Sequence, residues 1–169
     1  MRITKRSNIA MRVLMYCAAR PGQRITKSAI AESCNASEHH LGQIVNQLAQ
    51  LGYLKTWRGR YGGIALAQAP HEVRLGPVFR AFESDSPIAE CFDPTTNTCP
   101  LVGACRLRPA LAMAGNAFYS MLDAITLASL IDDNSDLLDI FEGKAPLSGL
   151  AQNDDDTPSQ AVDRKLASR

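Results

Sequence analysis

Three cysteines, Cys91, Cys99 and Cys105, follow one another as Cys-x7-Cys-x5-Cys, with Pro100 directly after the second. Thiols on one irregular segment are free of helical or strand direction and can converge on a single centre. Three kinds of chemistry use such a set. An iron–sulfur cluster takes thiolate ligands and accepts wide, irregular spacings, because its irons sit at separate corners. A thiol–disulfide switch needs only two of the three. Structural zinc prefers a close Cys-x2-Cys pair and a fourth Cys or His. No such pair occurs, and His39, His40 and His71 lie well upstream. The fit therefore falls in the order cluster, switch, zinc. Cys17 and Cys34 lie on or beside apolar helical stripes and read as core residues.

The rest of the chain must explain what such a centre would control. Its 169 residues have a formal net charge of only +1. The first eighty residues hold twelve Lys/Arg against three acids, a net +9, and the remainder holds six against fourteen, a net −8. A basic half of this kind points to a polyanionic partner. Residues 1–20 carry four arginines and lysines before Arg20 and no continuous apolar stretch, and no run approaches eighteen apolar residues. A secretory signal and a membrane span are not expected. Five cysteines, an odd number, argue against a disulfide framework and for reduced thiols in the cytoplasm.

Ala10, Val13, Leu14, Cys17 and Ala18 keep the spacing of a one-sided helix, which Pro21-Gly22 stops. Thr26 can cap a short second helix through Ala29–Ala31, and Ser37 can cap a third, with Leu41, Ile44, Val45, Leu48 and Leu51 as its stripe and Gly52 as its stop. Two helices joined by about four residues form a helix-turn-helix. Strand-like Tyr53–Trp57 and Ile64–Ala67 flank the tip Arg58-Gly-Arg-Tyr-Gly-Gly63, a basic hairpin of the winged-helix kind. A phosphate-cradling loop is a poor reading, since no Lys-Ser/Thr follows the glycines. The third helix would lie in the major groove of double-stranded DNA, placing Ser37, His39, His40, Gln43 and Gln47 near bases or phosphates, while Arg58 and Arg60 reach the backbone or minor groove. The competing reading of His39 and His40 is a pair facing water at a helix start.

Leu75–Phe82 is expected to form another short helix, and residues 83–104 show no period, a loop longer than compact domains usually carry without a purpose. From Pro109 a long helix follows, with Leu111, Ala114, Phe118, Met121, Leu122 and Ile125 as its stripe. That stripe is most simply buried against the same helix of a second copy, giving a homodimer; the alternative is packing back on its own domain. The fold class expected is mainly α with a small β wing: a winged helix-turn-helix domain (1–82), a cysteine loop (83–107) and a dimerisation helix region (108–142). A polar tail, 152–169, is expected to be disordered.

These motifs together carry a family resemblance. The opening Met1-Arg-Ile-Thr…Asn8-Ile-Ala-Met-Arg12, the segment His40-Leu-x-Gln-Ile-Val-x-x-Leu48-x-x-Leu-Gly52-Tyr, the wing Arg58-Gly-Arg-Tyr-Gly-Gly63 and Glu90-Cys-Phe…Cys99-Pro-Leu…Cys105-x-Leu resemble the IscR/NsrR/RirA family of bacterial winged-helix regulators, over residues 1–142. Ala89-Glu-Cys-Phe-Asp-Pro with Thr96-Asn-Thr-Cys-Pro is most similar to the nitric-oxide-sensing branch, while the opening through Met15-Tyr-Cys-Ala18 is also similar to the iron-responsive one. The resemblance implies a homodimeric repressor binding a pseudo-palindromic operator, with Cys91, Cys99 and Cys105 holding an iron–sulfur cluster, 4Fe-4S or else 2Fe-2S. It also implies nitric oxide as effector, with iron supply as the alternative signal. Some members take a fourth ligand from an N-terminal aspartate of the partner subunit. The matching position is Asn8, a poorer iron ligand, leaving water, a small thiol, Glu90 or Asp93 as other fourth ligands. Where one member uses a histidine two residues past the last cysteine, this chain has Leu107. Against this stand a thiol redox enzyme using Cys91 and Cys99, which lacks a Cys-x2-Cys or any catalytic constellation, and a protein-binding scaffold.

Overall fold

The computed structural model describes residues 3–84 and 87–144. The tail at 152–169 lies outside them. Residues up to Asn134 form one compact unit, and Ser135 opens a second whose described element is α7 (Ser135–Phe141).

Helix α1 (Lys5–Ala18) starts where the Thr4 hydroxyl accepts the Ser7 N–H, filling one of the donors that every helix start leaves open. Thr26 caps α2 (Lys27–Ser33) and Ser37 caps α3 (Glu38–Gln50) by the same geometry, the acceptors being offered to Ala29 and His40. Both caps are those expected from the sequence. The three helices pack on one another through Leu14, Ile30, Leu41, Ile44 and Leu48, each fully buried. Each such side chain contributes about 1.5–3 kcal/mol of transfer free energy. An exposed Lys27–Glu38 ion pair at 3.3 Å joins the starts of α2 and α3.

After α3 the chain forms an antiparallel hairpin, β1 (Leu54–Trp57) and β2 (Gly63–Leu66), in the register Leu54↔Leu66 to Trp57↔Gly63. Ile25 exchanges two backbone bonds with Ile64, so the segment before α2 is a third edge on the wing. The tip turns tightly: a Cβ at Gly62 would run into the Trp57 carbonyl, so only glycine fits there. Seven α-helices, one 3-10 turn and this two-stranded sheet, among the described residues, are the mainly helical fold with a small wing that the sequence implied.

Helix α4 (Leu75–Glu83) buries Leu75, Val78, Phe79 and Phe82, and α5 (Leu107–Ala124) crosses it. The crossing is close at Gly76, where a Cβ would strike the Asp123 carboxylate. Two guanidinium bonds from Arg80 to Asp123, both 2.6 Å, fasten it, with Tyr119 under the same guanidinium. This alters the sequence expectation for α5. The helix ends at Ala124 rather than running on through Ile125, because the chain turns extended at Ile125 and bridges back to Val73–Leu75: the Leu75 N–H donates to Ile125 O and the Leu127 N–H to Val73 O. One face, with half-buried Leu111, Phe118 and Leu122 and buried Gly115, turns toward its own domain. The other, with Leu107, Ala110, Ala114, Ala117 and Met121, is exposed. Short α6 (Ala128–Ile131) follows. No helix among the described residues is long and apolar enough to cross a membrane.

Candidate functional site

The outer face of α3 carries exposed His39, Gln43, Asn46 and Gln50, with Gly42 between them. This set recurs at steps of three and four, the spacing of one helix face. A groove runs between that face and the wing, bounded by Thr26, Lys27, Gly42 and Asn46 on one side and by Arg58 and Arg60 on the other. Arg58, Arg60 and Tyr61 are exposed at the tip, Tyr61 at 80%. Arg24 braces the wing from behind, its guanidinium 4.6 Å from the Trp57 ring centroid and donating to Tyr61 O at 3.4 Å. A protruding helix with amide side chains beside a braced arginine tip suits a DNA groove and its flanking phosphates.

The structure places the residues expected at DNA unequally. Ser37, His39, Gln43, Arg58 and Arg60 are exposed on this side; His40 is half-buried. Gln47 departs from the expectation. Its side chain turns inward, Nε2 donating to Ala81 O in α4 at 3.1 Å, and its Oε1 is buried without a partner. Asn46, on the polar side of the third helix, and the Arg24–Trp57 brace lie outside the set expected at DNA. Asn46 had a signal, lying three residues past Gln43 on the same face. Gln43→Ala should cost about 1–3 kcal/mol of discrimination against a mutated operator base and leave the melting temperature unchanged. Gln47→Ala should lower the melting temperature and leave that discrimination intact, as thermal melts and binding to mismatched duplexes would reveal.

The cysteine loop leaves the last turn of α4. There Glu83 Oε1 accepts from the Thr4 N–H (2.8 Å), the Thr4 hydroxyl (3.0 Å) and the buried Ser7 hydroxyl (2.5 Å), pinning the loop's root to the start of α1. A 3-10 turn, Glu90–Phe92, presents Cys91. Glu90 Oε1 accepts from the Thr98 N–H at 2.5 Å and hydroxyl at 2.6 Å, which holds its carboxyl below the usual range. Asp93 takes the Thr95 hydroxyl (2.6 Å), the Thr96 hydroxyl (2.7 Å) and the Thr95 N–H (2.8 Å), which bring its pKa down to about 2. Both carboxylates considered as fourth ligands are thus engaged within the loop. Arg108, in the first turn of α5, donates to Cys91 O at 3.2 Å and lies over the Phe92 ring.

Cys91, Cys99 and Cys105 are all free and half-buried. Among the described residues no three His, Cys, Asp or Glu side chains converge on one metal-ion position. A cluster asks instead for thiolates spread around separate irons, and a loop of three reduced thiols with no competing histidine has the right donor chemistry for it. Asn8 sits apart, exposed on α1 and lining an open hollow with Ile3, Lys5, Arg12 and Asn35.

Cys17 and Cys34 are buried, as expected for core residues, and burial pushes their thiols up to about 12 and about 11. With folded values above the ordinary thiol value of 9.0, their contribution to stability is complete below about pH 9. It is lost as pH rises through the range from there to about 12. At pH 8 iodoacetamide should therefore modify three cysteines of the metal-free folded protein and all five after denaturation, counted by intact mass.

A winged helix-turn-helix with an exposed recognition helix, a braced basic wing and a cysteine loop rooted beside them defines a class of DNA-binding transcriptional regulators. The chain belongs to the Rrf2 family, described as iron-dependent transcriptional regulators, whose model matches residues 3–133. It is 42% identical over 143 residues to the HTH-type transcriptional regulator NsrR of Geobacillus kaustophilus, covering 84% of this chain and 97% of that protein. It is 37% identical over 145 residues to NsrR of Bacillus subtilis, covering 85% and 99%. In fold it is similar to T. potens IscR, with a TM-score of 0.64 at 21% identity over 80% of this chain and 90% of that one. The oxidised form of CymR from Staphylococcus aureus gives 0.61 at 25% identity, over 78% and 97%.

Proposed function

We propose that this protein is a cytoplasmic, homodimeric repressor that senses nitric oxide through an iron–sulfur cluster held by Cys91, Cys99 and Cys105. The observation that carries this reading is the position of the cysteine loop. It springs from the same last turn of α4 whose Ala81 carbonyl is bonded to Gln47 of the recognition helix, so loop and DNA-reading helix share one support. The exposed apolar face of α5 suits the same helix of a second copy, and a two-fold dimer would prefer a pseudo-palindromic operator. A bound cluster would supply iron that nitric oxide attacks directly. The protein's own part is to hold three thiolates in a half-buried loop and to pass any change of that loop to α4 and α3. Nitric oxide is favoured as effector by the phrases around Cys91 and Cys99, which most resemble the nitric-oxide-sensing branch.

A second reading has its own support. Asn8 offers an amide where a carboxylate would bind iron more firmly, and the family is described as iron-dependent. A weakly held cluster would then report iron supply. Anaerobic purification followed by visible spectroscopy separates the two. Bleaching by a few nitric oxide molecules per cluster, with an iron chelator acting only slowly, supports nitric oxide. Indifference to nitric oxide with rapid loss to chelator supports iron. A colourless protein after anaerobic reconstitution contradicts both.

A further inference from the structure

The residues just before Cys91 and just before Cys99 are bonded to each other. Glu90 Oε1 takes both the backbone N–H and the hydroxyl of Thr98, at 2.5 and 2.6 Å, eight residues away in sequence. Cys99 is oriented in turn by its own N–H, which donates to Asn97 Oδ1 at 3.0 Å. The stretch that follows Cys105 is also tied to Cys91. Arg108, three residues past Cys105, donates from Nε to Cys91 O at 3.2 Å, with its guanidinium 5.4 Å from the Phe92 ring centroid. One carboxylate and one guanidinium thus draw the three cysteine-bearing stretches together without using a thiol.

We infer that Glu90, Thr98 and Arg108 are positioning residues that hold the three cysteine-bearing stretches together before any metal arrives, and that Glu90 is a clasp and not a ligand. The inference rests on the proposed role of the three cysteines as cluster ligands. Gathering three thiols from a loop of this length has a chain-entropy cost, and the clasp meets part of it in the metal-free protein. A carboxylate suits the task because bonds to an ionised acceptor are shorter and stronger than neutral ones. Groups that orient ligands without touching the metal commonly change metal retention about 10–100-fold when removed.

The full-length chain tests this with Thr98→Val, which removes the hydroxyl at constant shape, Thr98→Ser, which restores it, and Glu90→Ala. After anaerobic reconstitution, the half-life of the visible chromophore under EDTA should fall about tenfold in Glu90→Ala, fall by less in Thr98→Val, which keeps the backbone N–H bond, and stay at the wild-type value in Thr98→Ser. The double variant should be no worse than Glu90→Ala alone, since that change already removes both bonds to Thr98. Wild-type retention in both Glu90→Ala and Thr98→Val would overturn the clasp. A changed iron content in Glu90→Ala beside a normal Thr98→Val would make Glu90 a ligand and overturn it too.

A readout without metal separates this proposal from the cluster reading. In a Cys105→Ser background, diamide should form the Cys91–Cys99 disulfide about tenfold more slowly once the clasp is broken. Unchanged rates would contradict the clasp even if the protein binds a cluster. Slowed rates in a protein that never becomes coloured would uphold the clasp and sink the cluster.

Discussion

Cys99→Ala is expected to yield a folded protein that never acquires visible absorbance and whose DNA affinity no longer responds to nitric oxide or iron. The fold should survive, because Cys99 is half-buried in a loop outside the helical core of Leu14, Ile30, Leu41, Ile44 and Leu48. Substitutions away from core packing, caps and buried polar networks usually stay within about 0.5 kcal/mol. The centre should not survive. With three thiolates available and the carboxylates Glu90 and Asp93 engaged by threonines, no described side chain of the loop stands ready to replace a lost sulfur. A spectrum taken beside a thermal melt checks both halves of this expectation. Wild-type absorbance in the variant would remove Cys99 from the ligand set.

The double variant Arg58→Ala/Arg60→Ala should weaken binding to specific and unrelated duplexes alike. Both side chains are exposed at a tip held by the Trp57–Gly62 turn and the Arg24 brace, so the wing should keep its shape without them. The loss should be mainly electrostatic. Each phosphate contact removed should reduce the slope of log K against log salt by about 0.9, so the deficit should be large at low salt and shrink as salt rises. Titrations at several salt concentrations measure the slope directly. A loss confined to one base position, with an unchanged slope, would instead make these arginines base readers.

Local features of the fold were legible because their causes are local. The hydroxyls of Thr26 and Ser37 sit at helix starts, the stripe of α3 repeats at helical steps, and the glycines of the wing allow a turn that side chains would block. The cysteine spacing was likewise readable. What stayed hidden depends on partners distant in sequence. Gln47 borders the buried stripe, and polarity alone assigns it to the outer face; only α4, 34 residues on, makes it an inward hydrogen-bond donor. The end of α5 is set by backbone pairing with Val73–Leu75, about fifty residues earlier, which no periodicity announces. The Glu90–Thr98 bond crosses an aperiodic loop, so the sequence offered Glu90 as a ligand candidate and gave no sign of its partner. The two-faced character of α5 is blurred by alanines, which fit buried and exposed positions equally.

In the proposed coupling, the state of the cysteine loop sets DNA affinity through α4 and α3. Its most direct test is the dissociation constant for one promoter-derived duplex, measured anaerobically at fixed salt for reconstituted and metal-free protein from the same preparation. Two values differing at least about tenfold are expected, a coupling of about 1.4 kcal/mol or more and within the usual range for linked sites. Equal dissociation constants for two preparations that differ in their cluster would contradict it.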